Sequence, residues 1–77
     1  MIKVYSTPTC PYCVTLKNFL KEKGIEFEDL DVALDARARD EMIEKSGQMG
    51  VPVSDVNGEI VIGFDREKIC QLLKLEC

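Results

Sequence analysis

The sequence has no histidine and no tryptophan among its 77 residues. The missing histidine removes cysteine–histidine catalytic pairs and mixed cysteine–histidine zinc sites together. No apolar run approaches the ~18 residues that a membrane-crossing helix needs. A basic cluster is lacking too. The net charge is −4, and Arg37 and Arg39 are interleaved with Asp35 and Asp40 on what reads as a solvated helix face. Neither nucleic acid nor membrane is an expected partner. The run Met1-Ile2-Lys3-Val4-Tyr5 lacks the charged, apolar and small-residue zones of a secretion signal. The expected compartment is the cytoplasm.

What is present suits one small domain over residues 1–77. Apolar residues make up 45% of the chain, an ordinary share for a globular domain. Ile2 to Tyr5 is β-prone, and Ser6-Thr7-Pro8-Thr9 reads as a loop. Pro11 sits where a first helical turn tolerates it. Leu16, Phe19 and Leu20 then recur at helical spacing, and Gly24 supplies a stop. Apolar and acidic residues alternate from Ile25 to Val32, which predicts a second strand. Asp35 to Lys45 reads as an amphipathic helix, broken by Ser46 to Gly50. Val51-Pro52-Val53 begins a third strand that runs to about Val56. Asn57-Gly58 is a strong hairpin signal, and Ile60 to Ile62 returns as a fourth strand. Gly63-Phe64 turns the chain, and Asp65 caps a last helix through Leu75. The element order is β-α-β-α-β-β-α, and its first half is a right-handed βαβ unit.

The four cysteines fall into two unlike pairs. Cys10 and Cys13 stand three apart at a strand–loop–helix junction, while Cys70 and Cys77 lie at the far end. A close pair in a reducing compartment reads as catalytic or metal-binding rather than as a structural disulfide. Zinc would need a second pair of ligands. Without histidine only Cys70 and Cys77 remain, and their spacing is not that of a zinc knuckle. For thiol chemistry the placement suits. Unpaired N–H groups and the helix dipole at Cys10 stabilise a thiolate. Cys13, one turn on, is close enough to close a small disulfide ring. Cys10 is then the attacking thiol and Cys13 the resolving one. Cys70 reads as a small buried hydrophobe. A Cys70–Cys77 bond would need Cα atoms nearer than the roughly 10 Å that seven helical residues span.

The run Val4-Tyr5-Ser6-Thr7-Pro8-Thr9-Cys10-Pro11-Tyr12-Cys13, with Gly50-Val51-Pro52 and Gly63-Phe64-Asp65, resembles the glutaredoxin family along the whole chain. Cys-Pro-Tyr-Cys followed about forty residues later by Val-Pro makes the resemblance specific. It implies a thioredoxin fold: an α/β domain with a four-stranded mixed sheet and three helices on both faces. Cys10 matches the family's nucleophile and Cys13 its resolving thiol. Pro52 matches a cis-proline, and Val51 before it lends its backbone to a substrate peptide or to glutathione. Tyr12 matches an aromatic beside the groove. Asp65 matches an acidic residue that contacts the γ-glutamyl end of glutathione. Thr7 stands where a lysine is common, and Gln48 where an arginine or glutamine meets a carboxylate. Gly50, Ile62 and Phe64 also depart from the common pattern, in which threonine precedes Val-Pro and Gly-Gly-Cys precedes the acidic residue.

The resemblance implies a dithiol glutaredoxin that reduces protein disulfides or glutathione mixed disulfides. Glutathione is the co-substrate, no cofactor is bound tightly, and a monomer is expected. Two alternatives accompany it. One is a redoxin regenerated by thioredoxin reductase, serving an acceptor such as ribonucleotide reductase. The other is a glutaredoxin binding an iron–sulfur cluster between protomers, a role that usually goes with Cys-Gly-Phe-Ser rather than this tetrapeptide.

Overall fold

Seven elements alternate along residues 2–75, the part described by the computed structural model. They are β1 (Ile2–Ser6), α1 (Pro11–Glu22), β2 (Glu28–Asp31), α2 (Ala36–Ser46), β3 (Val53–Val56), β4 (Glu59–Ile62) and α3 (Arg66–Leu73). The strands form one mixed sheet in the order β2-β1-β3-β4. β1 runs parallel to β2 and antiparallel to β3, and β4 is antiparallel to β3. This is the expected thioredoxin-type arrangement. The ends of β1, β2 and β4 and the start of β3 therefore share one end of the sheet.

Side chains alternate across a strand, so β1 feeds two cores. On one face Val4 packs with Leu16, Phe19 and Leu20 of α1, Val56 and Val61, and Ile69 and Cys70 of α3. On the other, Tyr5 and Val53 meet Ala38 and Met42 of α2. Each large apolar side chain buried this way contributes roughly 1.5–3 kcal/mol. Local signals set the boundaries. Asp35 caps α2 by accepting from the Arg37 and Ala38 N–H groups, and Gly47 ends it in a left-handed conformation. Asn57 and Gly58 both take positive φ, as a tight hairpin requires.

A polar cluster pins α2 to the sheet. The buried Tyr5 hydroxyl donates to Glu41 at 2.8 Å. Lys45 bridges Glu41 at 2.9 Å and Asp55 at 2.6 Å, and Lys3 reaches Glu41 at 3.3 Å. The Lys45 hydrogen bond is the main reason that the Glu41 carboxyl is lowered to about 2. It also holds Asp55 below the usual carboxylate range. Hydrogen bonds to Asp55 and then Glu41 raise the Lys45 ammonium well above its ordinary value.

Four expectations need correction. β2 starts at Glu28, not Ile25. The Ile25 N–H donates to Leu20 O at 2.9 Å and the Gly24 N–H to Lys21 O at 3.0 Å, so the end of α1 claims that backbone first. β3 starts at Val53, because Pro52 follows a cis peptide bond and its carbonyl accepts from the Gly63 N–H at 2.8 Å. α3 ends at Leu73, not Leu75, where Lys74 turns left-handed. The helical spacing that argued against a bond at Cys70 does not extend past that point. Cys70 is buried and disulfide-bonded, not a plain buried thiol. Cys77 lies outside the described residues. Among the described residues no helix is long and apolar enough to cross a membrane.

Candidate active site

β1 ends at the centre of the sheet, and the chain turns at once into α1. The Cys10 N–H donates to Thr7 O at 3.4 Å, closing the connecting turn. Cys10 is the N-cap of α1, with extended backbone at φ −91° and ψ 113°. Pro11 follows at a position where a helix has no use for an N–H. The Cys13 N–H, one turn on, donates to Cys10 Sγ at 3.2 Å. A side chain that caps its own helix here is a sulfur, so an N–H is already aimed at the atom that must carry negative charge during thiol exchange.

The two thiols have opposite surroundings. Both are free, but Cys10 is half-buried and Cys13 fully buried. Burial, followed by the hydrogen bond with Cys10, pushes the Cys13 thiol up to about 11. A backbone hydrogen bond at Thr7 and the Lys17 charge pull weakly the other way. Lys17, one turn after Cys13, donates to Asp29 at 3.1 Å, and the Ser6 hydroxyl donates to the same carboxylate at 2.9 Å. Sequence reading passed over this group. The only available signal was Lys17 following Cys13 by four on one helix face.

Opposite Cys10 lies the segment before β3. The Cys10 thiol is 3.9 Å from the Val51 carbonyl, and the Val51–Pro52 bond is cis, as the resemblance implies. Pro52 is fully buried. Its link to Gly63 ties the turn after β4 to the same wall. Cys10, Cys13, Thr7, Val51 and Pro52 are thus brought together, Thr7 by its backbone.

The remaining expected residues are placed differently. Tyr12 stands out from the first turn of α1 and is 68% exposed. Asp65 caps α3, accepting from the Lys68 N–H at 3.1 Å, two residues after Gly63. Gln48 folds back on its own loop: it accepts from the Gly50 N–H at 2.5 Å and donates to Gly50 O at 3.0 Å. Phe64 turns inward against Phe19 with ring centroids 5.8 Å apart, so it belongs to the core. Four large apolar side chains remain exposed at the Cys10 end of the sheet: Tyr12, Leu34 after β2, Met49 before Val51, and Ile62 ending β4.

Known proteins share this arrangement. The glutaredoxin family pattern matches residues 2–61. The chain is 49% identical to an uncharacterized glutaredoxin-like 8.6 kDa protein of the rubredoxin operon of Clostridium pasteurianum, over 96% of this chain and 99% of that one. It is 36% identical to glutaredoxin 3 of Escherichia coli K12, over 83% of this chain and 77% of that one. The crystal structure of the thioredoxin-like protein BC3987 superposes with a TM-score of 0.88 at 40% identity, covering 94% of this chain and 99% of that one. A match across most of the length, with the two thiols at the head of α1, places this chain in the glutaredoxin family.

Proposed function

We propose that the chain is a dithiol reductant of protein disulfides or glutathione mixed disulfides, working through Cys10 and Cys13. The observation that carries this reading is the contrast between the two sulfurs. Cys10 is reachable and has an N–H aimed at it; Cys13 is buried one turn behind it. The Cys10 thiolate attacks one sulfur of the substrate, forming a mixed disulfide. The other substrate sulfur leaves as a thiolate and takes up a proton. Cys13 then gives up its proton and attacks Cys10 Sγ, which releases the second substrate sulfur as a thiol. Two electrons and two protons pass to the substrate, and Cys10–Cys13 ends as a disulfide. The Val51 backbone faces Cys10 and is the natural support for the substrate cysteine.

Regeneration by glutathione is part of this reading, and the family's chemistry supports it. One observation favours the thioredoxin-reductase alternative. Thr7 carries no charge, the Gln48 amide is engaged by Gly50, and the exposed rim is apolar, so little here attracts glutathione's carboxylates. A coupled assay with both regenerating systems in parallel separates the two. Turnover with glutathione and its reductase supports the first, and turnover only with thioredoxin reductase replaces it with the second. In either system Cys10→Ser abolishes turnover. Cys13→Ser stops reduction of protein disulfides and spares deglutathionylation. Full activity of Cys10→Ser would remove the assignment of the nucleophile.

A further inference from the structure

We infer that Gln48 is a positioning residue, whose carboxamide holds both peptide groups of Gly50 and thereby sets the Val51 backbone beside Cys10. The inference rests on the site reading above and adds a residue to it. The Gly50 N–H donates to Gln48 Oε1 at 2.5 Å, and Gln48 Nε2 donates to Gly50 O at 3.0 Å. Only one amide orientation satisfies both bonds; the other sets donor against donor and acceptor against acceptor. A hydroxyl steadies the clamp from behind. Ser46 Oγ donates to Met42 O at 2.6 Å on α2 and lies 3.4 Å from Gln48 Nε2, so the amide is braced on the helix end.

The consequence passes to Val51 through a planar bond. The Gly50 carbonyl and the Val51 N–H belong to one trans peptide group and point in opposite directions. Holding the carbonyl toward Gln48 turns the Val51 N–H away from it. Among the described residues that N–H has no backbone partner, while the Val51 carbonyl faces Cys10. A substrate backbone beside Cys10 would meet this open pair.

The clamp also explains the glycine. A Cβ on residue 50 would lie 2.6 Å from Gln48 Oε1. Any larger residue therefore forces the amide out of its seat. Gln48 and Gly50 form one device, and Gln48 serves the loop rather than a ligand's carboxylate.

Stopped-flow reduction of two probes by the prereduced protein tests this. One probe is a cystine-bridged peptide, which pairs with the Val51 backbone. The other is 5,5′-dithiobis(2-nitrobenzoate), which has no peptide to pair. Gln48→Ala slows the peptide about fivefold to tenfold, the size of one or two lost hydrogen bonds, and leaves the aromatic disulfide within about twofold. Gly50→Ala does the same, and the double variant is no slower than either single one. A Gln48→Ala that slows both probes equally, or neither, overturns the proposal. So does a double variant whose losses multiply. Cys10→Ser in the same experiment keeps the two levels apart: rapid reaction surviving it would sink the site reading itself.

Discussion

Cys13 is kept protonated by its surroundings, which sets it apart from Cys10. With Cys13 pushed up to about 11, its thiol stays protonated at neutral pH, as the proposed resolving role requires. Iodoacetamide at pH 7 is expected to add one carbamidomethyl group to the reduced pair, on Cys10. Cys13 becomes reactive only as the pH approaches 11. Peptide mapping by mass spectrometry checks this, and label on Cys13 at neutral pH would contradict it. The placement of these two residues was legible in the sequence because it depends on three-residue spacing and a helix start, both local. Gln48 was not. Its amide can reach a ligand or its own loop, and its bonds to Gly50 depend on how the turn from Ser46 to Gly50 folds.

Elements were legible where a residue carries its own boundary signal. Asp35, Asp65, Pro11, Gly47 and Asn57-Gly58 each act on neighbours a few residues away, and each marks the expected border. β2 was misplaced because alternation from Ile25 onward looks like a strand, while the end of α1 takes the Ile25 N–H first. Within β3 two buried positions are polar, and Asp55 is paired with Lys45 while Ser54 is not. Ser54 lies in register between Val4 and Val61, both core residues, and its buried hydroxyl has no partner among the described residues. Burial without a hydrogen bond costs free energy that alanine would not incur. Ser54→Ala is expected to raise the unfolding free energy by about 1 kcal/mol, read from the denaturation midpoint at unchanged slope. A loss of similar size would show that the hydroxyl has a partner.

The whole molecule depends on the cluster that fastens α2 to the sheet. Glu41 is lowered to about 2 from 4.5, and Asp55 is lowered as well. For a carboxyl lowered by folding, the stabilisation is complete above its unfolded value and disappears as pH falls through the folded one. The expected loss therefore runs from about pH 4.5 down toward 2. Lys45 and Tyr5, both raised, act at the other end: their contribution is intact below pH 10 and declines above it. Denaturant titrations followed by circular dichroism between pH 2 and 7 check the acid limb. Glu41→Gln should flatten it, and an unchanged acid slope in that variant would show that other carboxyls dominate. This network was not visible beforehand, because it joins Lys3, Tyr5, Glu41, Lys45 and Asp55 across three elements.

Cys10 and the Val51 carbonyl it faces are 41 residues apart in the chain. The attacking sulfur belongs to the βαβ half, and the backbone opposite it to the hairpin half. During synthesis the tetrapeptide leaves the ribosome well before its facing wall exists. A nascent chain that stops short of Val51 holds both thiols but lacks the backbone that faces Cys10. On the proposed reading, selectivity arrives late, with the segment from Gln48 to Asp65. Exchanging that segment between relatives would redirect the choice of disulfide while leaving the chemistry at Cys10 where it is.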